Sequence, residues 1–91
     1  MNVEIITPTS SLYNGAAQSV TVPSLKGPFT MLEHHAPIVA ILEAGPVLLT
    51  DPQGEVHTFH ILGGVCEQHD NHVIVCAEGL LPYDSPQHPE P

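Results

Sequence analysis

Seven histidines, two cysteines and ten carboxylates are the groups in this chain that could do chemistry, and their spacing decides which chemistry is open to them. His57 and His60 stand three residues apart. That suits a metal site on one face of a helix, but on a strand an odd separation sends the two rings to opposite faces. His69 and His72 flank Asp70-Asn71 and would face each other across a hairpin, close enough to chelate. Two imidazoles are half of the four-ligand set that a structural zinc site ordinarily uses, so solvated side chains are expected, with no resident metal or other cofactor. Cys66 and Cys76 lie on the two arms of that same hairpin. A two-residue turn would set Cys66 opposite Val75 and Cys76 opposite Val65, pointing the thiols to opposite faces where no disulfide can form. Ser10 and Ser11 have no His or acid in a nucleophile pattern, and Gly63-Gly64 does not open a helix as a phosphate-cradling loop does. The carboxylates are spread over turns. No catalytic residue is expected.

The elements that hold these groups are strands. Ten prolines and seven glycines break the sequence too often for ordinary helices. Between the breaks the apolar residues alternate: Val3 and Ile5 around Glu4, Val20 and Val22 around Thr21, Phe59 and Ile61 around His60. This period of two, with β-branched enrichment, is the strand signature. It predicts strands over 3–7, 12–14, 17–22, 29–32, 38–42, 47–50, 56–62, 65–68 and 72–76. Pro52-Gln53-Gly54 and Asp70-Asn71 supply hairpin turns, and Pro23 to Pro28 encloses a loop holding Lys26. Many short strands at regular spacing predict an all-β sandwich or barrel over residues 1–79. Residues 80–91 carry four prolines, at 82, 86, 89 and 91, and are expected to form an extended tail.

Composition narrows the function. Apolar residues make up 42% of the 91 and charged ones 12%, as in a globular domain with one modest core. Ten acidic residues face one basic one, for a net charge of -9. Nucleic-acid binding is excluded on that balance, because phosphate contacts need Lys or Arg. Direct attachment to anionic lipid is disfavoured for the same reason. No signal peptide is visible, and the longest apolar run, Ile38 to Leu42, is far too short to span a bilayer. A soluble acidic domain that meets a basic protein surface is expected, with any membrane association indirect.

Three segments then carry a resemblance. VEIITPTSSLYNGAAQSVTVPSLKGPF (residues 3–29) is similar to the opening of the epsilon subunits of F-type ATP synthases. MLEHHAPIVAILEAGPV (31–47) resembles that family's His-Ala-Pro followed by an apolar strand and a glycine. TFHILGGVCEQHDNHVIVCAEG (58–79) resembles its Gly-Gly hairpin. They occur in family order and spacing over residues 3–79. The resemblance implies a flattened sandwich of about ten strands, without the C-terminal helical hairpin many family members carry, since the proline-rich end cannot form it. It implies a non-catalytic rotor subunit in the central stalk, bound to the gamma subunit and the c-ring, helping couple proton flow to ATP synthesis at the cytoplasmic face of a bacterial inner membrane. His35 and Ala40 would lie towards gamma; Lys26, Gly27 and Pro28 would face the polar loops of the c-ring. In that loop family members often have Gly-Glu-x-Gly, where this chain has Gly27, Pro28, Phe29 and Thr30. Two other readings compete: a free-standing β-sandwich interaction module, and a cupin-like metalloenzyme using His57, His60, His69 or His72. Thin charge and positive mean hydropathy also predict an apolar patch left for a partner.

Overall fold

A computed structural model describes residues 1–81. Those residues form nine strands: β1 (Asn2–Ile6), β2 (Ser11–Ala16), β3 (Ser19–Val22), β4 (Phe29–Leu32), β5 (Ile38–Leu42), β6 (Gly45–Thr50), β7 (Val56–Ile61), β8 (Gly64–His69) and β9 (His72–Ala77). Each overlaps a segment expected to be a strand. A five-stranded sheet runs β2-β1-β9-β8-β5 and a four-stranded sheet runs β4-β3-β6-β7. The sandwich expected from the sequence is the fold. Nine strands stand against the ten or so implied, with further pairing at the isolated bridges Ser24–Leu42 and Ile61–Leu80. No helix occurs among the described residues.

Boundaries differ where the chain changes sheets. Strand β3 begins at Ser19, two residues later than the alternation suggests. The amide of Ala17 donates to Met1 O in the five-stranded sheet and that of Gln18 to Thr50 O in the four-stranded one, so this pair is the crossover. Strand β6 starts early, at Gly45, and includes Pro46. Proline is tolerated there because β3 pairs only with Leu48 to Thr50, leaving Pro46 beyond its end. After Ala77 the chain crosses to the other sheet, where Leu80 bridges Ile61 and the Leu81 amide donates to His60 O. The proline-rich segment from 82 onward lies outside the described residues.

Facing rows of the two sheets make the core: Val3, Ile5, Cys66, Val73 and Val75 from one, Val20, Val22, Met31, Val47, Leu49 and Ile61 from the other, all essentially buried. Burial of this apolar surface, at roughly 25 cal/mol per Å², is the main stabilising term. Two backbone features fix the β8–β9 register. Asp70 and Asn71 have φ of 53° and 60°, the left-handed pair that a two-residue hairpin needs. At the other end, any side chain on Gly64 would collide with the carbonyl oxygen of Cys76.

Candidate docking surface

The hairpin places its chemistry as the turn arithmetic predicts. Cys66 pairs with Val75 and Cys76 with Val65, so Cys66 is buried and Cys76 exposed, and both are free thiols. Burial pushes the Cys66 thiol up to about 11, which keeps it a neutral, inert hydrophobe. His69 and His72 pair directly across the turn. Alternation along β7 puts His57 on its core side and His60 on the other, so these two do not converge.

The outward face of the five-stranded sheet can be read row by row from the register. One row runs Ile41, Val65, Cys76, Ile6 across β5, β8, β9 and β1. The next runs Val39, Glu67, Ile74, Glu4, Asn14, and a third His69, His72, Asn2, Ala16. Val39 and Ile41 are 69% and 60% exposed and Val65 is 44% exposed, far more than a finished surface normally leaves for adjoining aliphatics. With strands about 4.8 Å apart, the apolar row Ile41-Val65-Cys76-Ile6 extends roughly 14 Å across the sheet. This face is the apolar patch that the composition calls for.

Residues expected to contact partners lie beside it. His35 is half-buried in the loop between β4 and β5, its Nδ1 2.9 Å from Ala36 O. That loop is anchored: His34 takes a left-handed φ of 61°, and its amide donates to Asn71 Oδ1 at 2.8 Å. Asn71 Nδ2 donates to Glu33 Oε1, and the Met1 ammonium pairs with Glu33 Oε2 at 2.6 Å. The ammonium, with help from Asn71, holds the Glu33 carboxyl below its usual range. Ala40 sits on the inner side of β5, half-buried and packed against the core, while its neighbours Val39 and Ile41 point outward. Lys26, Gly27 and Pro28 are exposed at the tip of the loop after β3. Gly27, at φ 113°, closes that turn with its amide on Ser24 O, and the Leu25 amide joins the loop to β5 through Ile41 O. Lys26, Gly27, Pro28 and Ala40 thereby line one groove of about 560 Å³ along β5, and His35 is not part of its lining.

Two constellations were not foreseen from the sequence. Asp51, Glu55 and His57 bring ligand atoms within 4.8 Å of one another at the β6–β7 turn. Asp51 Oδ1 accepts the amides of Gln53 and Glu55, and Oδ2 lies 2.9 Å from His57 Nε2, while Tyr13 packs against the imidazole. The His57 hydrogen bond foremost, then the Glu55 amide, hold the Asp51 carboxyl below its usual range. Each of these bonds closes the turn, and a turn cap accounts for all of them. The other is Gln68, 1% exposed on the inner face of β8, with neither amide atom hydrogen-bonded.

The family model described as the ATP synthase delta/epsilon chain β-sandwich domain matches residues 1–82. The chain belongs to the ATP synthase delta/epsilon family. It is 38% identical over 81 residues to the ATP synthase epsilon chain of Sulfurimonas denitrificans, covering 89% of this chain and 62% of that protein. With the epsilon chain of Chlorobaculum tepidum it shares 37% identity over 76 residues, covering 84% of this chain and 86% of that one. The chain thus spans less than two thirds of the first relative's length and most of the second's. Among solved structures, a chain of the Euglena gracilis mitochondrial ATP synthase (OSCP/F1/c-ring, rotational state 1) superposes with a TM-score of 0.83. Its identity is 17%, over 94% of this chain and 55% of that one, so it bears on the fold.

Proposed function

We propose that this chain is a non-catalytic rotor part of an ATP synthase that joins the gamma subunit to the c-ring and helps couple ion flow to ATP synthesis. The open apolar face of the five-stranded sheet supports this reading most strongly. A permanent interface characteristically carries apolar residues at its centre, and Val39, Ile41 and Val65 offer that centre on a rigid scaffold. Gamma docks on this face, at Ala40 on β5 and on the His35 loop beside it; the Lys26-Gly27-Pro28 tip is left for the c-ring side. Rigidity comes from the continuous ladders of both sheets and from the Met1–Glu33–Asn71 link that ties the His35 loop to the β8–β9 turn. The protein reaches the cytoplasmic face of the bacterial inner membrane through those partners. A pull-down of the tagged chain from native membrane extract tests this. Gamma and the catalytic subunits should be recovered with it, and their absence would overturn the reading.

A further inference from the structure

The docking face carries two carboxylates that nothing on the domain neutralises permanently. Glu4 and Glu67 lie in the row of Ile74, one on each side of it, two strands or about 10 Å apart. The chain's one lysine is in the β3–β4 loop, and no Lys or Arg lies on this face. Covering an ionised carboxylate without a counter-charge is unfavourable, so whatever covers Ile74 must answer both glutamates. Each has a histidine at its shoulder: His72 Nε2 is 3.9 Å from Glu4 Oε1, and His69 Nε2 is 3.9 Å from Glu67 Oε2. His72 Nε2 is shut off from solvent and has no hydrogen-bond partner.

We propose, building on the stalk-subunit reading above, that this face receives a partner surface with an apolar ridge flanked by Lys or Arg, and that His72 and His69 withdraw Glu4 and Glu67 from those cations on acidification. Imidazole is the side chain that ordinarily changes charge between pH 5 and 8. When neutral, the histidines leave both carboxylates to the partner. Once protonated, His72 places an N–H in a position with no acceptor, and Glu4 closes the gap by moving about 1 Å to charge-assisted hydrogen-bond distance. The carboxylate turns inward and a positive charge takes its place towards the partner. His69 acts on Glu67 in the same way, with Asp70 Oδ2 3.2 Å from its Nδ1 as a second local acceptor. The remaining charges near the turn are Glu33, His34 and the Met1 ammonium, which are tied to one another or to Asn71. Strands β2 and β5 bring no charged side chain to the face.

Calorimetric titration of the 91-residue chain with purified gamma subunit, at about pH 8 and about pH 6, tests this across the imidazole range. Exposed charge pairs each change binding by a few-fold, so two together should weaken wild-type binding on the order of tenfold at the lower pH. His69→Gln with His72→Gln should bind equally well at both. Glu4→Gln with Glu67→Gln should be weaker at pH 8 and nearly independent of pH. If the histidine double variant melts well below wild type, His72→Gln alone should show part of the same flattening. A wild-type affinity that ignores pH, a full drop persisting in the histidine variants, or glutamine variants that bind like wild type at pH 8 would each overturn the proposal while leaving the stalk reading intact. No binding by the wild type at either pH would overturn both.

Discussion

Replacing Gln68 with methionine should make this domain more stable. The side chain lies in an inner row of the five-stranded sheet, between Ile38 on β5 and Val73 on β9, and is 1% exposed. Both of its amide atoms are buried without a hydrogen-bond partner. Stripping water from a polar group and giving nothing back costs about 1–3 kcal/mol. Methionine has nearly the same length and shape, carries no group that needs a partner, and adapts to irregular cavities. The substitution should therefore raise the unfolding free energy by about 1–3 kcal/mol, a large share of the roughly 4–12 kcal/mol expected for a domain of this size. Since 1 kcal/mol moves the melting temperature of so small a domain by about 4–8 °C, the transition should rise by at least about 4 °C. Urea unfolding followed by circular dichroism measures it, and an unchanged slope would show that the unfolded state is not responsible. A loss of 1 kcal/mol or more would refute the reasoning, because it would mean that the amide is hydrogen-bonded inside the fold, for instance to a buried water.

Three other perturbations probe the scaffold. Gly64→Ala should destabilise by about 3 kcal/mol or more, as a Cβ there meets the Cys76 carbonyl and the backbone of β8 or β9 must move; a loss under 1 kcal/mol in the same urea assay would contradict the close approach. Asp51 has its carboxyl held down in the folded state, so its contribution is present above the ordinary carboxylate range and is lost as the pH falls through the depressed folded value. Asp51→Asn should therefore lower stability at neutral pH and flatten the acid limb of a stability–pH profile, and an unchanged profile would count against the turn cap. A thiol reagent under native conditions should modify one cysteine quickly, Cys76, and reach Cys66 only on unfolding; two fast thiols would show that the β8–β9 register is wrong.

What could be read ahead of the structure was what local parity controls. A two-residue turn at Asp70-Asn71 fixes which residues of β8 and β9 share a face, so the separation of the two thiols and the facing of His69 and His72 followed from counting. The same counting puts Gln68 inside with Cys66, a signal that was present and went unused because glutamine is ordinarily a surface residue. Strand β5 hides its orientation. Ile38 to Leu42 is apolar throughout, so polarity alone does not tell that Val39 and Ile41 face outward and Ala40 inward. Contacts across long separations left no mark on the pattern: Met1 to Glu33 and Glu33 to Asn71 span 32 and 38 residues. Asp51 and His57 are only six apart, but they meet because the β6–β7 turn folds one strand back on the other. An Asp just before Pro-Gln-Gly was the available hint of a side-chain cap.

Under the proposed function, the open face of the five-stranded sheet is where gamma binds. Calorimetry of purified gamma subunit against the wild-type chain and against Ile41→Asp with Val65→Asp, two outward positions, decides this. Wild type should bind one to one, and the double variant, with an unchanged melting temperature, should bind at least about a hundredfold more weakly, since charge in a covered apolar centre costs several kcal/mol. Equal affinity of the two proteins, or no heat from the wild type, would contradict the account.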